Sequence, residues 1–368
     1  MNALSKVQET LLMGPGPSSV YPSVYTALAL PTLGHLDPRF IAIMDEIKAM
    51  LRSLMGTKNQ LTLPMSGTGS AGMETAFVNV IQKGDAVLVL VNGVFGKRMV
   101  EVASRLGAEL EALEFDWGTP VLLERAAERI KAKKWKLVAV VHAETSTGVS
   151  NPIERLGPLV KENGALFLVD AVTSLGGIPV DVDANGIDIC YSGTQKCLSC
   201  PPGLSPITFS EQAISVLKSR SSKVPNWYLD LSLIMDYWEG SKRAYHHTAP
   251  INMLYGLHAA LSSVLEEGLD AVYERHARMH TRLIEGLKGL GLSLFVDPSC
   301  ALPMLNAITV PDGVDEAAVR RQLLEKDSIE IGAGLGPLAG KIWRIGLMGH
   351  TAQEENIDRV LAALKAAL

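Results

Sequence analysis

Three groups of residues stand out for the chemistry they could carry. Lys196 closes Tyr191-Ser192-Gly193-Thr194-Gln195-Lys196, directly after the apolar run Ile187–Tyr191. An exposed lysine, with a pKa of ~10.4, is protonated and a poor nucleophile. In a pocket beyond a strand end it can form a Schiff base with a carbonyl and then carry protons; alone it would be read as a surface lysine. Asp170 ends the apolar run Leu166–Val169. A carboxylate there needs a cationic partner, or else caps the helix that follows. The third group is Ser66-Gly67-Thr68-Gly69-Ser70-Ala71-Gly72, ahead of an expected helix over Met73–Ile81. Small residues let backbone N–H groups approach a phosphate, and a helix N-terminus adds partial positive charge. Gly67, Gly69 and Gly72 match the dinucleotide fingerprint in form. However, Pro64 should interrupt the preceding strand, and Asn92, not an acid, stands about 20 residues on. A phosphate cradle of another kind is the better reading, with a plain tight turn as its alternative.

These residues need a frame to position them. Strands are expected at Ala86–Val91, Glu109–Leu113, Leu137–Val141, Leu166–Val169 and Ile187–Tyr191, with helices between most of them, as at Lys97–Leu106 and Val121–Lys133. Fully apolar strands alternating with helices imply a parallel sheet covered on both faces, with ligands beyond its carboxyl ends. Before them, Phe40, Ile43, Met44, Ile47, Leu51 and Leu54 recur at helical spacing. An aromatic stretch over residues 220–255 breaks the pattern. A helical region from Met253 to Leu290 follows, then strands near Leu292–Val296, Asn306–Val310 and Ile342–Leu347 and a helix near Glu316–Lys326. The fold class expected is α/β, in three parts: an N-terminal arm (1–20), a large domain (21–255) and a smaller C-terminal α+β domain (256–368).

Composition narrows the function. The 368 residues carry 34 Lys plus Arg against 39 Asp plus Glu, a net charge of −5, which argues against a nucleic-acid footprint. No apolar run approaches the ~18–20 residues of a membrane span. Four cysteines make no disulfide framework, and Cys197 and Cys200 form a lone C-x-x-C without a second ligand pair. The first twelve residues do not read as a leader, so a cytoplasmic setting is expected. The adjacent His246 and His247 should point apart, and no metal site is expected.

Taken in order, these motifs resemble the pyridoxal-phosphate enzymes of the aspartate-aminotransferase fold (fold type I), and more narrowly the class V aminotransferases of the alanine–glyoxylate (serine–pyruvate) kind. The likeness covers nearly the whole chain. It runs through Gly14-Pro15-Gly16-Pro17-Ser18, Gly34-His35-Leu36-Asp37-Pro38, Asn92-Gly93-Val94-Phe95-Gly96, Glu144-Thr145-Ser146-Thr147-Gly148, Tyr245-His246-His247-Thr248 and Arg344-Ile345-Gly346-Leu347, besides the segments already named.

The resemblance implies a cofactor, pyridoxal 5′-phosphate, and a role for each residue. Lys196 would hold it as a Schiff base and move protons, and Asp170 would pair with its pyridinium nitrogen. Thr68, Gly69 and Ser70 would bind its phosphate with help from Gln195. Phe95 would lie over its ring, where relatives often have Trp, and Thr145 beside its 3′ oxygen. Tyr245 and Thr248 would reach the phosphate of the neighbouring subunit, making a homodimer part of the mechanism. Arg344 would pair with the substrate α-carboxylate, its alternative being a strand-edge salt bridge. Gly16 would line the substrate pocket, and His35 and Asn252 could face the far end of the substrate, the alternatives being a bond from His35 to backbone and a helix cap by Asn252. The implied reaction moves the amino group of alanine or serine to glyoxylate by a ping-pong scheme, with (S)-ureidoglycine as the alternative donor. Desulfuration of cysteine is disfavoured because those relatives have His where Gln195 stands. A nicotinamide oxidoreductase would need the acid missing near position 92.

Overall fold

The computed structural model describes residues 2–239 and 243–368. The central sheet contains β1 (Leu61–Ser66), β2 (Ala86–Val91), β3 (Glu109–Glu114), β4 (Leu137–Val141), β5 (Leu166–Asp170), β6 (Ile189–Tyr191) and β7 (Leu204–Phe209). Their spatial order is β1-β7-β6-β5-β4-β2-β3, with β7 antiparallel to both neighbours and the other pairs parallel. β4 and β5 are buried along their whole length, as strands inside a covered parallel sheet must be. β3 lies at an edge, and its glutamates are exposed or half-buried.

Two strands were not legible as such. Pro64 does not interrupt β1: the strand is continuous, and Pro64 stands opposite Pro206 of β7 in an antiparallel pair at the sheet edge. Proline is tolerated on an edge strand, where its missing donor faces no second partner. The helix after the glycine segment begins earlier than expected, covering Gly69–Val78. The region Met253–Leu290 is two helices, Ile251–Glu267 and Leu269–Gly289, divided at Gly268 with φ of +86°. Leu292–Val296 is not a full strand; only Leu294 bridges, to Ile308.

A second sheet contains β8 (Leu305–Thr309), β9 (Gly332–Ala333) and β10 (Ile342–Gly346), antiparallel in the order β8-β10-β9. Its core gathers Trp343, Ile345, Ile357, Val360, Met279, Leu283 and, from the other end of the chain, Met13. The side chains of Leu254, Leu257, Leu261 and Val272 remain in the first core, so the two cores part within helix Leu269–Gly289. Residues 11–13 of the expected arm are built into the second unit. Leu11 and Leu12 run parallel to Ile329 and Glu330, and the Gly346 N–H donates to the Met13 carbonyl at 2.7 Å. No helix among the described residues is long and apolar enough to cross a membrane.

Candidate active site

Asp170, Tyr191 and Val141 end β5, β6 and β4, and all three open onto one cavity of about 220 Å³. Thr68, Gly69, Ser70, Phe95, Thr145, Gln195 and Lys196 also line it. The position beyond the carboxyl ends of parallel strands is where open α/β sheets collect ligands.

Asp170 is almost fully buried. Its Oδ2 accepts from the Tyr191 hydroxyl at 2.7 Å and its Oδ1 from the Val172 N–H at 2.8 Å. Burial pushes its carboxyl up to about 6, against the opposing pull of those two donors and of the Lys196 and Arg98 charges. It does not cap a helix: Val172 begins a turn. Lys196 is 8% exposed, and its Nζ donates to the Pro15 carbonyl. Burial first, and then the Arg344 charge, lower its amine to about 8. Gly16, with φ of +101°, closes against it; a Cβ there would stand 2.6 Å from Lys196 Nζ.

Helix Gly69–Val78 points its N-terminus into the cavity, and no side chain caps it; the Thr68 side chain makes no cap bond. The third glycine of the segment packs rather than binds: a Cβ on Gly72 would lie 1.9 Å from Ser205 Oγ and 3.2 Å from the Tyr191 Cβ. Gln195 Oε1 is buried without a hydrogen-bond partner.

Glu144 ties the N-terminus of helix Val94–Arg105 to the turn that follows Glu144 itself. Its carboxylate accepts from the N–H groups of Phe95 (3.1 Å), Gly96 (3.3 Å) and Ser146 (3.1 Å) and from Ser146 Oγ (2.6 Å). Burial pushes it up to about 7 against those donors. Gly93 permits the approach, since a Cβ there would lie 2.4 Å from the Glu144 carboxyl carbon. Arg344, 6% exposed on β10, is not among the cavity-lining residues but reaches them, donating to the carbonyls of Ala333 (2.6 Å) and Thr145 (3.2 Å). Among the described residues it forms no ion pair, so the strand-edge salt bridge is not made. Burial lowers its guanidinium to about 10.

Four expected site residues stand apart from this cavity. Tyr245 and Thr248 are exposed and face each other at 3.2 Å. The His35 ring lies 5.0 Å from that of Tyr245. Asn252 uses its amide within the fold, donating to the Leu28 and Leu30 carbonyls and accepting from Thr32 Oγ1. The adjacent histidines do not point apart: His246 Nδ1 and His247 Nδ1 share a hydrogen bond at 2.8 Å, and His247 Nε2 meets Ser66 Oγ at 2.8 Å. His246 is fixed there by stacking on Trp227 at 4.2 Å.

Tyr191 and Arg98 are among the lining residues that escaped the sequence reading. Tyr191 sits in the quoted run before Lys196, but only the strand order shows that it ends the strand next to that of Asp170. Arg98 follows Phe95 by one helical turn and lays its guanidinium carbon 4.9 Å from that ring's centroid. Its spacing alone gave no sign that it faced inward.

The family model for class V aminotransferases matches residues 19–360. The chain belongs to the class V aminotransferases. It is 42% identical to (S)-ureidoglycine–glyoxylate transaminase of Bacillus subtilis, covering 97% of this chain and 90% of that protein. It is 41% identical to alanine–glyoxylate aminotransferase of Rattus norvegicus, covering 100% and 90%. The crystal structure of alanine–glyoxylate aminotransferase from Nostoc sp. superposes with a TM-score of 0.97 at 47% identity, covering 100% of this chain and 97% of that one. Class V aminotransferases depend on pyridoxal 5′-phosphate. The cavity of this aminotransferase fits such a group on its own chemistry. It offers an uncapped helix N-terminus to a phosphate, an amine lowered to about 8 and a buried carboxylate.

Proposed function

We propose that this aminotransferase moves the amino group of a small L-amino acid, alanine or serine, to glyoxylate, working as a homodimer in the cytoplasm. The observation that carries the reading is the meeting of Lys196 and Asp170 in one cavity, the first softened toward its neutral form and the second fixed by two donors. Bound pyridoxal phosphate supplies an aldehyde to receive the amino group and a ring that takes up electrons.

Lys196 Nζ, neutral in a large fraction near its pKa of about 8, would hold the cofactor through its aldehyde and would be the group that moves the substrate Cα proton. Asp170 would offer its carboxylate to the ring nitrogen and favour its protonated form. Thr68, Gly69 and Ser70 present the helix N-terminus to the phosphate, with Gln195 beside them. Phe95 would pack on the ring, and Thr145 would stand by its 3′ oxygen, both lining the cavity. Arg344 binds the α-carboxylate, its Nη2 having no partner among the described residues. Gly16 and the Pro15 carbonyl wall the space beside Lys196 and favour a short side chain. Tyr245 and Thr248, exposed and side by side away from their own cavity, are suited to enter that of a second copy.

Ureidoglycine is the second reading, supported by the Bacillus subtilis relative. Of the two polar residues that could meet a ureido group, Asn252 is committed to residues 28–32, which leaves His35. Rapid mixing of the cofactor-loaded protein with alanine, serine and ureidoglycine in turn, then glyoxylate, tests the choice through the cofactor's visible absorption. Bleaching by alanine or serine and recovery with glyoxylate supports the first reading. A response to ureidoglycine alone replaces it with the second.

A further inference from the structure

Asp170 and Tyr191 are in-register neighbours on the parallel strands β5 and β6. Their side chains therefore leave the sheet on the same face. Tyr191 is wholly buried, and its hydroxyl reaches Asp170 Oδ2 at 2.7 Å. The Val172 N–H holds the other oxygen, so the plane of the carboxylate is fixed from both sides. Room for the tyrosine comes from the glycine segment, because a side chain at Gly72 would run into the Tyr191 Cβ and Ser205.

We infer that Tyr191 is a positioning residue for Asp170, a donor that holds this carboxylate ionised and aimed at the ring nitrogen of the cofactor. The inference rests on the role proposed for Asp170. Burial and the Asp170 charge raise the Tyr191 phenol well above its ordinary value, so it stays protonated and can only donate to a carboxylate. Other groups act on Asp170 as well. The Lys196 and Arg98 charges favour its ionised form, Glu144 opposes it, and the Cys190 thiol is pushed up by burial and carries no charge. His142, whose N–H donates to the Asp170 carbonyl, is kept neutral by burial. Of all these, Tyr191 makes the side-chain hydrogen bond.

Tyr191→Phe keeps the ring and removes the donor. In the cofactor-free protein, the infrared band of the protonated Asp170 carboxyl, identified by its loss in Asp170→Asn, is expected to titrate at least one pH unit higher in Tyr191→Phe, about a tenfold change in the protonation equilibrium. Affinity for pyridoxal phosphate is expected to fall about tenfold at pH 6 and to stay within about twofold at pH 9. An unmoved carboxyl titration overturns the inference. If Tyr191→Phe does not fold, the phenol band of Tyr191 in Asp170→Asn serves instead: it should shift as the charged acceptor is lost, and a band that stays in place overturns the inference. Normal turnover by Asp170→Asn would defeat the role proposed for Asp170 while leaving the infrared result to stand or fall alone.

Discussion

The two ends of the cavity are built on different principles. At the end formed by Thr68, Gly69 and Ser70, the main chain faces the cavity: a helix N-terminus without a capping side chain, with Thr68 and Ser70 exposed. At the Asp170 end, side chains do it, and they are buried, paired and held between adjacent strands. A phosphate carries its own charge and needs donors that any small residue can provide, so that end tolerates solvent and can be completed from outside. A ring nitrogen needs one carboxylate in one protonation state, which demands exclusion of water and a fixed partner. The first end should therefore yield gradually to substitution, and the second abruptly.

Replacing Lys196 by Ala tests the abrupt side most severely. Turnover should vanish, as should the adduct trapped by borohydride, and normal turnover would break the scheme. Asp170→Asn should lower kcat by about a hundredfold or more while cofactor still binds, as checked by steady-state kinetics and absorbance titration. Arg344→Lys keeps a charge but loses the planar fork; KM for amino donor and oxo acid should rise about tenfold or more, with kcat less affected. The pH dependence sharpens the contrast through Lys196. Its amine is lowered from 10.5 to about 8, and only the neutral form attacks, so the rate of cofactor capture by cofactor-free protein should rise with pH up to about 8 and then level off. A capture rate flat between pH 6 and 8 would contradict this. The mildest effect is expected for Gly72→Ala, which should cost about 1–3 kcal/mol through the clash with Ser205, read from thermal denaturation.

Much of this was legible in the sequence because it depends on local pattern. The strands Ala86–Val91 and Leu137–Val141 have the expected bounds, since buried parallel strands read as unbroken apolar runs. β1 and β7 were missed because each carries a proline; β1 is the edge strand, where Pro64 needs no donor, and beside Pro206 the Ser192 carbonyl accepts from Ser205 Oγ instead. Within the site, Lys196, Asp170 and the glycine segment announced themselves by type and position. Tyr191 did not, although it is one strand away from Asp170, because its partner is set by strand order and not by sequence spacing. Asn252 misled for the complementary reason: a polar residue in a suggestive place can be consumed by the turn it supports.

The first residues of the chain carry a mechanical consequence. Met13 is clamped by the main chain of Gly346, two residues beyond Arg344, and Pro15, two residues further along, receives the amine of Lys196. The guanidinium proposed to catch the incoming carboxylate and the amine proposed to handle the proton are thus linked by a short cord of backbone. A small shift of β10 on substrate arrival would tug that cord and change the seat of Lys196, so that docking at one end is felt at the other without any side chain relaying it.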